Sequence, residues 1–171
     1  MTRPDLQSVP TFYKRYVEHV KEMDLIEALK FSSVETLELI RLIPESKGEY
    51  RYAEGKWSIK EVLNHMLDVE RIMSYRALRF ARNDKTDLPG FEENDYAPEA
   101  NAHSRTIIQL ADEAKRLRAT TIDLFNSFTK EMLAREGTAN KNKLSVLTIG
   151  YVISGHESHH RQILKERYLI K

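Results

Sequence analysis

Cysteine is absent from the 171 residues. Disulfides, a cysteine nucleophile and thiolate metal ligands are therefore excluded, and any metal site has to draw on His, Asp or Glu. Glycine is scarce, with six residues in all. None of them forms a phosphate-cradling loop or a G-x-S-x-G nucleophile elbow. No run approaches the roughly 18 apolar residues of a membrane-spanning helix. Met1-Thr2-Arg3-Pro4-Asp5 is followed by no apolar signal core, so a cytoplasmic protein without membrane attachment is expected. An excess of one charge is lacking as well. A net charge of +1 gives no electrostatic reason to expect nucleic-acid binding. Arg71, Arg76, Arg79 and Arg82 do cluster, and they read as a solvated helix face with acidic neighbours. Alternating strand patterns, repeats and low-complexity segments are missing too.

What is present is helical periodicity. Thr11 to Val20 reads as a short helix with Phe12, Tyr16 and Val20 on one side. Ile26 to Ile43 is a longer one, with Ile26, Leu29, Val34, Leu37, Ile40 and Leu42 or Ile43 at helical spacing. Pro44 stops it. Ser58 with Glu61 three residues on is a capping box. It starts a second long helix running to about Asn83, striped by Val62, Met66, Val69, Met73, Ala77 and Phe80. Asp84 to Asn101 is a long irregular segment anchored by Phe91 and Tyr96, expected to cross the bundle end. Ala102 to Phe128 is the third long helix, Gly137 to Lys143 a polar loop, and a last helix starts near Ser145 and runs to about Leu169. A chain of this size suits one domain, residues 1–171. Four long helices with a crossover predict an all-α four-helix bundle, a fold that builds metal sites from facing helices.

Three of the six histidines fall in the stretch Gly155-His156-Glu157-Ser158-His159-His160. At about 100° per residue, Ile149, Val152, His156, His160, Ile163 and Arg167 share roughly one third of the helix circumference. His156 and His160 thus lie one turn apart on the face expected to be buried. The spacing i, i+4 sets two imidazoles side by side, able to bind one ion. The competing reading is a pair of hydrogen-bonded core histidines. His159, about 60° away from His156, sits on the shoulder of the stripe. His65 falls at the edge of the second long helix, where a side chain can reach a neighbouring helix, and Asp68 follows three residues later.

The letters His156-Glu157-Ser158-His159-His160 match H-E-x-x-H, the zinc-protease signature. The extended form fails, because Ile163 stands where glycine is required and Glu166 where the last histidine is required. No substrate-binding strands accompany it, so a metalloprotease is set aside.

Three motifs resemble the DinB-like superfamily, which includes the YfiT-type metal-dependent hydrolases. They are Trp57-Ser58-Ile59-Lys60-Glu61-Val62-Leu63-Asn64-His65, Leu88-Pro89-Gly90-Phe91-Glu92-Glu93-Asn94-Asp95-Tyr96, and Gly155 to His160. The resemblance runs from the first long helix to the last. It implies a four-helix bundle with a divalent metal, zinc or nickel, on three histidines, which match His65, His156 and His160 here. It also implies a homodimer and a small-molecule substrate. Some members of the family are thiol-dependent S-transferases that join a low-molecular-weight thiol to an electrophile, and others are hydrolases or isomerases. The residues themselves name no general base. Asp68, Glu157, His159 and Tyr96 are candidates for supporting or substrate-side groups. A metal-stabilised bundle without turnover is the alternative, with Asp68 or Glu157 filling a fourth position.

Overall fold

The computed structural model describes residues 2–21 and 23–168. The chain forms helices α1 (Thr11–Glu18), α2 (Leu25–Arg41), α3 (Ile59–Ala81), α4 (Glu93–Glu99), α5 (Ile107–Asn126) and α6 (Lys130–Ala134). A short hairpin of β1 (Glu136–Ala139) and β2 (Asn142–Ser145) follows, and then α7 (Val146–Arg167). The long helices α2, α3, α5 and α7 make the bundle. Helix α7 lies between α2 and α3, both of which also pack on α5, and α1 closes the remaining side of α7.

Local chemistry starts each long helix. Asp24 Oδ1 accepts from Ile26 N at the head of α2. The Ser58–Glu61 capping box forms as expected, with Glu61 N donating to Ser58 Oγ at 3.2 Å and Ser58 N to Glu61 Oε2 at 2.6 Å. A second box, Thr106 with Gln109, starts α5. The third long helix therefore begins at Ile107, not Ala102, which instead opens a 3-10 turn. Ser145 caps α7 through Thr148 N. Helix α7 ends at Arg167, and the expected end at about Leu169 lies outside the described residues.

Other expectations need correction. The polar loop at Gly137–Lys143 is part of the antiparallel hairpin, turned at Asn140 and Lys141, both at positive φ. Gly137 lets β1 lie against Phe80, whose ring would sit 2.1 Å from an added Cβ. The segment Asp84–Asn101 is not wholly irregular, since it contains α4. In α1, Tyr13 and Val17 are buried in place of Phe12, and in α2 Val34 faces solvent while Leu25, Ala28 and Leu39 line the core. Arg76 is buried, unlike its neighbours Arg71 and Arg79, which pair with carboxylates near the surface.

Helix α7 is buried on nearly every face. Being wrapped by α1, α2 and α3, it has no solvent face through its first three turns. Small residues there let neighbours close in. At Gly155 an added Cβ would lie 1.8 Å from the Tyr16 carbonyl oxygen, so only glycine admits α1 at this distance.

Candidate metal centre

Three histidines converge in the bundle interior. His156 and His160 come from α7, one turn apart. His65 comes from α3, about two turns beyond the Ser58 cap. One ring nitrogen of each lies within 4.8 Å of the others. His65 Nε2 and His156 Nε2 are 3.1 Å apart, close to the about 3.3 Å that separates two nitrogens on one tetrahedral zinc. The ring centroids are 4.5–5.0 Å apart. Among the described residues, His160 Nδ1 is the buried side-chain polar atom with no hydrogen-bond partner. Such an orphan costs about 1–3 kcal/mol unless something binds it.

The electrostatics keep these rings neutral. Burial pushes His65 down to about 4. Burial, reinforced by the neighbouring imidazoles, holds His156 and His160 well below the ordinary histidine value. Neutral imidazoles offer lone pairs, which is the form a divalent cation needs. Convergent lone pairs, an unpartnered buried nitrogen and no competing proton fit a borderline-soft divalent ion.

His65 was expected at a helix edge, yet it is 7% exposed. The Trp57 ring, 4.8 Å away, covers it from the residue preceding the cap. Tyr16 on α1 packs its ring 5.2 Å from His156 and 5.6 Å from His159, a consequence of the close approach at Gly155. His159 is partly exposed and lines an open surface groove with His19, Lys56 and Arg167.

The remaining candidates are occupied elsewhere. Asp68 accepts from Asn64 Nδ2 at 2.7 Å and faces Arg71. Glu157 turns away from the histidines to Arg118, with Nη1 donating to its Oε2 at 2.9 Å. Tyr96 is 48% exposed, stacked near Phe91 on the crossover. Sequence reasoning missed Arg118 and Glu70, which form a bidentate pair at 2.8 Å for both bonds. Arg118 also donates to Leu29 O and Ser32 Oγ. Burial works against this charge, but Glu157 and Glu70 outweigh it and hold the guanidinium above its usual range. A lone arginine among polar helix positions carries no sequence signal of burial.

Three inward histidines on facing helices are the arrangement from which helical bundles can build a metal site. Residues 28–164 match the DinB superfamily, and the chain belongs to that family. Its fold is similar to that of YfiT from Bacillus subtilis, described as a probable metal-dependent hydrolase with an unusual four-helix bundle topology. The TM-score is 0.69 at 15% identity, over 86% of this chain and 87% of that one. A mycothiol-dependent maleylpyruvate isomerase is also similar, with a TM-score of 0.66 at 10% identity over 92% of this chain. This chain spans 62% of that protein's length. No curated protein matches the sequence significantly.

Proposed function

We propose that the chain, residues 1–171, is a single-domain, divalent-metal-dependent enzyme of the S-transferase or hydrolase type, with His65, His156 and His160 as the metal ligands. Zinc or nickel suits an all-nitrogen donor set. The observation that carries this reading is the convergence of three neutral, buried imidazoles, one ring nitrogen of each within 4.8 Å of the others, in a cluster where the Nδ1 of His160 has no hydrogen-bond partner. A divalent ion on these ligands would act as a Lewis acid, lowering the pKa of a bound water toward about 7 or readying a substrate thiol as the nucleophile.

The chain's own residues supply position and exclusion. Trp57 and Tyr16 wall the cluster with aromatic rings. Arg118 turns Glu157 away from the histidines, which leaves the cluster without a carboxylate ligand. Three histidines and no carboxylate leave a loaded site cationic, suited to an anionic ligand. The metal-stabilised bundle without turnover requires a filled fourth position. Among the described residues no Asp or Glu joins the three histidines, which favours an open position and turnover. The mycothiol dependence of one structural neighbour supports a low-molecular-weight thiol as co-substrate. Cytoplasmic location and a homodimer complete the reading.

The test loads the protein with zinc or nickel and mixes it with low-molecular-weight thiols and a chromogenic electrophile. Thioether formation above the uncatalysed rate, abolished by a chelator and in His156→Ala/His160→Ala, is expected. Full metal content retained in that double variant would overturn the ligand assignment.

A further inference from the structure

Arg76 lies in the middle of α3 and is 4% exposed. Its Nη2 donates to Pro89 O at 2.8 Å, and Nη1 lies 3.8 Å from Met73 Sδ. Among the described residues, no carboxylate comes within the 4.0 Å ion-pair distance of this guanidinium, whereas Arg71, Arg79, Arg105 and Arg118 all have one. A buried cation with no counter-charge is costly, and burial of charge is ordinarily accompanied by pairing. A guanidinium has five N–H donors in a planar fork that matches a carboxylate, and the Pro89 carbonyl together with the Tyr13 hydroxyl does not exhaust them.

The same guanidinium lines a cavity of about 40 Å³ whose other walls include Tyr13, Tyr16, Phe91, Glu93 and His156. That volume is room for about three water-sized groups, the bulk of a carboxylate and its first carbon. One wall belongs to the histidine cluster. The crossover side is braced, since Leu88 N donates to Thr138 O at 3.0 Å and Asn140 N to Leu88 O at 2.9 Å. This ties the segment carrying Pro89 and Phe91 to the hairpin turn. Glu93 shares the cavity but stays beyond ion-pair distance, so it does not supply the missing charge.

We propose that this cavity is the carboxylate subsite of a small organic-acid substrate, held by the Arg76 fork with its reacting end directed past His156 at the histidine cluster. The subsite rests on the metal-enzyme reading for its purpose and adds to it the chemical class of the substrate.

The test follows thermal unfolding of the metal-loaded protein in propionate and in its neutral isostere propionamide, with metal content measured on the same samples. Propionate is expected to raise the midpoint saturably and propionamide to leave it unchanged. Arg76→Met is expected to weaken the propionate response by about tenfold or more while metal content stays at the wild-type level. A midpoint lowered equally at every propionate concentration, with the response intact, would make Arg76 only a brace for Pro89 and overturn the subsite. So would a wild type that ignores propionate. Val69 also lines the cavity, so Val69→Leu narrows it and leaves Arg76 bonded to Pro89. It decides the matter if Arg76→Met does not fold, since an undiminished response there also overturns the proposal. Wild type that lacks metal but responds to propionate refutes the enzyme reading, whereas metal without a response refutes this subsite alone.

Discussion

Replacing Arg118 with methionine tests whether the bundle interior depends on one buried guanidinium. Arg118 is 3% exposed and makes five hydrogen bonds: two to Glu70, one to Glu157, and one each to Leu29 O and Ser32 Oγ. Methionine retains much of the stem and removes the charge. Two carboxylates, with side chains 9% and 11% exposed, are then left facing each other without a cation. Breaking a buried pair in this way costs about 3–5 kcal/mol. For a chain of this size, about 2–4 °C is lost per kcal/mol, so the midpoint should fall by roughly 6–20 °C. Neutralising the stranded groups in Arg118→Met/Glu70→Gln/Glu157→Gln should recover a good part of that loss, because much of it is the penalty of unpaired charge. Chemical denaturation of the three proteins, wild type included, with the extrapolated stabilities compared, is the assay. A single variant within about 1 kcal/mol of wild type, below the range for a broken buried pair, or a triple variant no better than the single one, would refute the reasoning.

Two further substitutions probe how the site is positioned. Gly155→Ala places a Cβ 1.8 Å from the Tyr16 carbonyl oxygen, where backbone cannot give way. It should cost about 1–3 kcal/mol despite about 1 kcal/mol gained in helix propensity, and it should weaken metal affinity by displacing Tyr16 from His156. Equal stability and affinity in a titration calorimeter would contradict the close packing of α1 on α7. Ser58→Ala removes one half of the capping box and should cost about 1 kcal/mol in urea unfolding, with metal content unchanged, since His65 lies two turns inside α3.

How far the sequence reached follows from which signals were local. The Ser58–Glu61 box and the i, i+4 pair of His156 and His160 are short-range patterns, and both were legible. The Thr106–Gln109 box was equally local, but Ala102 and Ser104 made the preceding turn look helical, so α5 was started early. The hairpin escaped because Glu136-Gly137-Thr138-Ala139 has no strong alternation, and its pairing depends on Phe80 and Leu88 from distant segments. The burial of His65 depends on Trp57 and on α7, neither of which an angular projection of α3 contains. Helix α7 itself is packed on nearly all sides, so a one-stripe reading understated what it touches. Arg76 and Arg118 look like surface charges in one dimension. Only the crossover and the opposite helices show that they are interior, and Arg118 in turn explains why Glu157 is not a ligand candidate despite its neighbours.

Elemental analysis of protein purified without added metal, on wild type and His160→Ala in parallel, tests the central claim most directly. The account predicts about one divalent ion per chain in wild type, the single ion of a three-histidine site, and its loss from a variant that still folds. Metal absent from both, or retained in full by His160→Ala, would contradict it.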